Sequence, residues 1–120
     1  MNLIKSALKV LCNDKNVRGA LIITKDGMVI ESILDKPEEA EAFGAFMSNI
    51  ALTIQNSLTT LGHNEFNRYV IQSNHGRIFL VDLGASVLIA MTDVEVDMGQ
   101  VNVSLFQAAN QVKKMGRLDV

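Results

Sequence analysis

Apolar positions Leu3, Ile4, Ala7, Leu8 and Leu11 recur at helical spacing, with Lys5 and Lys9 facing away. They predict a first amphipathic helix of about three turns. Asn13 to Arg18 reads as a polar loop leading into Gly19, and the branched run Ala20 to Thr24 as a strand. Asp26-Gly27 is a tight-turn signal, because glycine readily takes positive φ, and Met28 to Ile33 returns as the second strand of a hairpin. Lys36-Pro37-Glu38-Glu39 opens a long helix that Gly62 ends. Pro37 suits the first turn, the acids oppose the positive helix end, and Asp35 with Glu38 has capping-box spacing. Phe66 to Ser73, with Arg68 inside it, suits an edge strand. Asn74-His75-Gly76 turns into a strand from Arg77 to Leu83, and Gly84-Ala85 into Ser86 to Met91, apolar on both faces like a covered central strand. Asp97 and Gln100 bracket a second capping box. Beyond them Met98, Val101, Leu105, Ala108, Val112 and Met115 form the clearest apolar stripe in the chain. The order is helix, hairpin, long helix, three antiparallel strands, helix, read as one domain over residues 1–120. Burying both sheet and helix stripes calls for an α/β (α+β) fold, a five-stranded antiparallel sheet with helices on both faces.

The long helix is unusual in its charge. After Glu38, Glu39 and Glu41, no Lys, Arg, Asp or Glu occurs from Ala42 through Asn64. A helix from Ala42 to Gly62 is roughly 30 Å long, enough to cross a bilayer. Yet Ser48, Asn49, Thr53, Gln55, Asn56, Ser57, Thr59 and Thr60 interrupt it, and no cluster of Lys or Arg flanks it, which excludes a membrane span. At 100° per residue, Phe43, Phe46, Met47, Ile50, Ile54, Leu58 and Leu61 form the stripe expected to face the core. The opposite side carries Ala45, Ser48, Asn49, Leu52, Gln55, Asn56 and Thr59. Small, neutral polar side chains there let another backbone approach without desolvating charge, the composition of a protein interface core. The alternative is a merely neutral surface helix.

A net charge of -2 in 120 residues, 48% hydrophobic and 20% charged, describes a globular chain with no electrostatic footprint for nucleic acid. Lys113, Lys114 and Arg117 suit the negative end of the last helix. One cysteine, Cys12, excludes an internal disulfide, and one Cys with two His is too little for an ordinary structural zinc site. Lys5 and Lys9 break the N-terminal apolar run, so a signal peptide is not expected and a cytoplasmic location is.

No enzyme motif is present. The glycines make neither a dinucleotide fingerprint nor a P-loop, and neither His-Glu-x-x-His nor Gly-x-Ser-x-Gly occurs. His63 and His75 fall in turns, Cys12 reads as a small hydrophobe, and Asp82 is an acid at a strand end beside Gly84. Asp14, Asp26 and Asp93 are separated by whole elements, so no metal cluster is expected. No cofactor is expected either.

The hairpin from Gly19 to Ser32, and Asp97-Met98-Gly99-Gln100-Val101 with Leu105 and Ala108-Ala109, resemble the Roadblock/dynein light chain family. The likeness extends over the whole order of elements, although Gln100 stands where bacterial members more often carry an apolar residue. The resemblance implies a profilin/longin-like arrangement, with the long helix on one face of the sheet and two helices on the other. It implies a homodimer or heterodimer joined edge to edge through Phe66, Arg68, Tyr69, Val70, Ile71 and Ser73, the two long helices lying side by side as a platform. Gly99 reads as a close approach of the last helix to the sheet. Bacterial and archaeal members commonly regulate small Ras-like GTPases on that platform. A homodimeric, non-catalytic regulator or scaffold for such a GTPase is the leading expectation, with Arg18, Arg68 and Arg77 the candidate donors if hydrolysis were stimulated through an arginine. The alternatives are an assembly subunit indifferent to nucleotide state and a small-molecule sensor.

Overall fold

The computed structural model describes residues 3–63 and 67–118, the last three by backbone alone. Helix α1 (Leu3–Cys12) precedes the hairpin β1 (Val17–Thr24) and β2 (Val29–Ile33). The long helix α2 (Ala40–Thr60), the strands β3 (Arg68–Ser73), β4 (Gly76–Asp82) and β5 (Ser86–Thr92), and helix α3 (Met98–Leu118) follow. The five strands form one antiparallel sheet in the order β2-β1-β5-β4-β3, so β2 and β3 are its edges.

Alternation along the strands divides the core in two. Ala20, Ile22, Phe79, Leu88 and Ala90 point to the face covered by α1 and α3, where Leu8, Leu11, Val101 and Leu105 meet them. Leu21, Ile23, Leu80, Val87 and Ile89 point to the other face, against Met47 and Ala51 of α2. Both sides of β1 and β5 are therefore apolar, because both are covered. The stripe expected on α3 is the one it buries, with Ala109 added.

Several local expectations need correction. β1 begins at Val17 rather than after Arg18, because Val17 pairs with Thr92 across a register shift. Pro37–Glu39 is a separate 3-10 turn, and no side chain caps α2, so Asp35 and Glu38 form no capping box there. At α3 half of a box forms: Asp97 Oδ1 accepts from the Gln100 amide at 3.1 Å, while the Gln100 side chain accepts from Asn16 Nδ2 at 3.3 Å. Phe46, expected on the core stripe, is 64% exposed, and Leu61 72%. Phe46 lies at the margin of the buried arc centred on Met47, and Leu61 is the C-cap residue past the last turn of α2.

Gly99 makes no close approach, since a Cβ there would meet only Asp97 Oδ1, at 3.4 Å. The glycine that brings a helix onto the sheet is Gly44. A Cβ at Gly44 would stand 3.0 Å from the Gly27 carbonyl oxygen, 3.0 Å from Val29 Cγ2 and 3.2 Å from Ile23 Cγ2. Its missing side chain seats α2 on the β1–β2 hairpin. The other layer is tied by a polar knot. Asp14, only 7% exposed, accepts from the Asn16 amide and side chain through Oδ1 and from the Ser104 hydroxyl through Oδ2. The knot fastens the α1–β1 loop to α3.

Candidate functional site: the outer face of α2 and the open edge of β3

The 21 residues of α2 extend about 31 Å, whereas a seven-residue strand such as β5 spans about 23 Å. The flanks of the helix are identified by their contacts. On one flank Ser48 Oγ donates to the Lys25 carbonyl at 2.8 Å, and Gly27 packs on Ala45 and Ser48, so this flank faces the β1–β2 turn. On the other, Phe43 lines a groove together with Ile71 of β3 and Ile78 of β4, so this flank faces β4 and β3. Phe46 lies about 60° from Phe43 and about 40° from Ile50 around the helix axis, which puts it on the β3 flank.

Of the seven residues singled out on the outer face, Ala45, Asn49, Leu52, Asn56 and Thr59 are exposed, while Ser48 and Gln55 are half-buried. Leu52 is 57% exposed. The absence of charge is joined by a second property. Ser57, Thr59 and Thr60 hydroxyls donate to the Thr53, Gln55 and Asn56 carbonyls of the preceding turn, at 2.9, 2.9 and 3.1 Å. Hydroxyls already bonded to their own helix lose little when water is removed. With Phe46 and Leu52 on either flank, the face offers two apolar anchors on a surface that is cheap to desolvate.

The β3 edge is open, and its backbone polarity can be read. Ser73 and Gly76 close a two-residue turn and so exchange both hydrogen bonds. At the other end the Asp82 amide donates to the Asn67 carbonyl at 3.0 Å. Odd-numbered residues therefore bond to β4, and Arg68, Val70 and Gln72 turn their N–H and C=O outward. Side chains alternate too, Tyr69 and Ile71 toward α2 and Arg68 toward α3, where it donates to Asn102 Oδ1 at 2.7 Å. Phe66, expected on this strand, lies outside the described residues.

The remaining candidates are bonded to residues outside α2. Arg18 pairs with Asp93 at 2.8 Å, and Arg77 Nε donates to Gln72 Oε1 at 3.0 Å. Asp82 accepts from Lys25 Nζ at 2.5 Å and from the Gly84 amide at 3.1 Å, the strand-end position expected for it. Burial pushes the half-buried Cys12 thiol above its usual pKa, which makes it a poor nucleophile. Burial, then the Asp82 carboxylate, raises the Tyr69 phenol. Sequence reasoning missed Phe46 and Leu61 as surface residues, because it sorted them by hydrophobicity and not by where the sheet ends. Among the described residues, no helix is long and apolar enough to cross a membrane.

The chain is 28% identical over 113 residues to Uncharacterized protein MJ0310 of Methanocaldococcus jannaschii, covering 94% of this chain and 99% of the relative. Its structure is similar to that of MglB from Myxococcus xanthus, with a TM-score of 0.88 at 17% identity over 95% of this chain and 94% of the other. It is similar also to the gliding protein MglB from Thermus thermophilus, with a TM-score of 0.82 at 19% identity over 92% and 86%. At such identities these likenesses speak for the fold: the same five-stranded sheet with its three helices. The family model of the Roadblock/LC7 domain matches residues 3–93, from α1 through the last strand, and the chain belongs to that family.

Proposed function

We propose that this protein is a homodimeric regulator or scaffold that binds a small Ras-like GTPase through the outer face of α2. The observation that carries the proposal is the uncharged helix face with Phe46 and Leu52 exposed on it, beside a strand edge whose outward amides are unpaired within the sheet. Dimerisation through β3 would extend the sheet and bring two such helices together into one platform. Family membership supports this reading, because bacterial and archaeal Roadblock proteins commonly act on such GTPases.

On this reading the protein acts as a binding partner and not as a catalyst. If it accelerates GTP hydrolysis in the partner, ordering of the GTPase's own catalytic residues is favoured over an inserted arginine. Arg18, Arg68 and Arg77 bond to Asp93, Asn102 and Gln72, none of which belongs to α2.

The test is affinity capture from the native lysate with a GTP analogue or GDP, comparing wild type with Leu52→Asp and identifying captured proteins by mass spectrometry. A Ras-like GTPase retained only with the GTP analogue, and lost in the variant, is the expected result. Burial of a leucine contributes about 1.5–3 kcal/mol and a buried charge costs more, so the loss should exceed tenfold. Capture of no GTPase in either nucleotide state would leave an assembly subunit in its place.

A further inference from the structure

The helix layer opposite α2 covers the sheet unequally. There α1 lies over β1 and β2, with Lys5 and Glu31 3.9 Å apart. Beside it, α3 turns one flank to the loop after α1, where Ser104 bonds Asp14. The other flank faces β3, where Asn102 accepts from Arg68 at 2.7 Å. Among the described residues, no helix lies beyond α3 on this side. The strand records the difference. Tyr69 and Ile71, on the α2 side, are half-buried, whereas Arg68, Val70 and Gln72, on the α3 side, are exposed.

The same flank of α3 continues the bare strip. Phe106 lies one turn beyond Asn102 and about 40° from it, and Lys113 two turns further and about 20° from Phe106. Phe106 is 67% exposed and Val70 43%. The Arg68 side chain crosses from β3 to α3 above the buried ring of Phe79, its guanidinium carbon 5.9 Å from the ring centre. At the far end of the β3 row, Arg77 bonds Gln72.

Although the chain carries a net charge of -2, this strip has charge of one sign. Neither Met98–Leu118 nor the run from Arg68 to Val81 contains an Asp or a Glu. Asp82, next in sequence, is bonded to Lys25 at the β1–β2 turn. Arg68, Arg77 and Lys113 therefore attract an acidic partner, and Val70 and Phe106 give it apolar anchorage. The vacancy is a place in a helix layer beside α3, which a further helix would fill. Six residues of β3 span about 20 Å, the length of a helix of about 14 residues.

We infer that the trough between α3 and β3 binds an acidic amphipathic helix of a partner protein. Its apolar side lies on Val70 and Phe106, and its carboxylates face Arg68 and Lys113. The trough is on the opposite face of the sheet from α2. Strand side chains keep their faces whether or not the β3 edge is paired, so the inference depends on neither the GTPase nor the dimer.

The test is fluorescence anisotropy of the full chain with a labelled synthetic helix of about 14 residues, Leu at helical spacing and Glu elsewhere. The comparison peptides carry Lys for every Glu, or the same Leu residues scrambled. The Glu helix should bind roughly tenfold or more tighter than either. Phe106→Ser should weaken it by a similar factor. Lys113→Glu should weaken the Glu helix and strengthen the Lys helix, a reversal that damaged packing would not produce. Met28→Ser, an exposed apolar residue of the β1–β2 turn, should match wild type. Circular dichroism melts keep loss of binding separate from loss of folding. No binding of the Glu helix, equal binding of the Lys helix, or indifference to Phe106→Ser overturns the inference. Phosphatidylglycerol vesicles bound through Phe106, with the Glu helix left unbound, would also overturn it and make the strip a membrane-facing surface.

Discussion

Ser104 of α3 donates its hydroxyl to the Asp14 carboxylate at 2.8 Å, across 90 positions of sequence. The same carboxylate accepts from the Asn16 amide at 2.9 Å and from Asn16 Nδ2 at 2.8 Å. Asn16 reaches on to Gln100, and its Oδ1 accepts from the Asp97 amide at 3.3 Å, so one buried acid organises the loop after α1 and the start of α3 together. Replacing Asp14 by Ala leaves the Ser104 hydroxyl and the Asn16 amide without their acceptor in a buried setting. The expected loss is about 1–3 kcal/mol, read as a lower urea midpoint with unchanged slope. Asp14→Asn should cost less, because the amide oxygen can still accept.

The same carboxylate makes stability depend on pH. Burial raises its pKa, but donation from the Asn16 backbone, Ser104 and the Asn16 side chain, with Lys15 nearby, outweighs burial and holds it below the ordinary carboxylate value. A depressed folded pKa stabilises the protein above the unfolded value, about 3.9, and the contribution disappears as pH falls through the folded value. The stability gap between wild type and Asp14→Asn should therefore be constant from about pH 5 upward and should narrow below about pH 4. A gap that widened on acidification would contradict the hydrogen-bonding account.

Three glycines separate backbone need from helix preference. Alanine at Gly76 drives its Cβ into the Thr92 carbonyl oxygen, a backbone atom, and should be the most damaging of the three. At Gly44 the clash is with the Gly27 carbonyl and two methyl groups, so an overpacking cost of about 1–3 kcal/mol opposes a helix-propensity gain of about 1 kcal/mol. A net loss of about 1 kcal/mol is expected, greater for Gly44→Val. Alanine at Gly99 meets nothing closer than 3.4 Å and should stabilise by up to about 1 kcal/mol. Thermal melts of the three variants give the order directly.

These residues also mark how far the fold could be read from the chain. The stripes of α1 and α3 are periodic, and periodicity survives without knowledge of partners, while the short branched runs of β1 and β5, bounded by turn residues, are legible by composition and length. The edge position of β3 was legible because Phe66 to Ser73 is mixed in character, with Arg68 within it. Phe46 and Leu61 were misplaced because their exposure depends on where the helix lies on the sheet and how far it outruns it, relations between elements that no single segment encodes. Gly44 and Gly99 look alike in sequence, and only the distance from helix to hairpin tells them apart. The Asp14 knot joins positions too remote for any spacing rule. On the candidate site, the uncharged face of α2 was visible as a gap in charge, whereas the division of its flanks between the β1–β2 turn and β3 required Ser48 and Phe43 to be seen in contact.

The alternating backbone of β3 allows a test of the proposed dimer edge that changes no interface side chain chemistry beyond one residue. The Val70 amide points away from β4 and the Ile71 amide toward it, as the Ser73–Gly76 closing pair and the Asp82-to-Asn67 bond require. Proline removes an amide hydrogen, and on an edge strand it is tolerated where that hydrogen faces outward. Val70→Pro should keep the monomer folded while weakening self-association, because any two-fold pairing of this edge bonds through Arg68, Val70 and Gln72. Ile71→Pro should break a bond to β4 and lower stability by about 3 kcal/mol or more. Paired measurements of unfolding free energy and of dimer dissociation constant would separate the two effects. If Val70→Pro unfolded the chain while Ile71→Pro did not, the outward phase of the strand would be the reverse of the one described. If both proteins folded and dimerised as wild type, association would have to run through another surface.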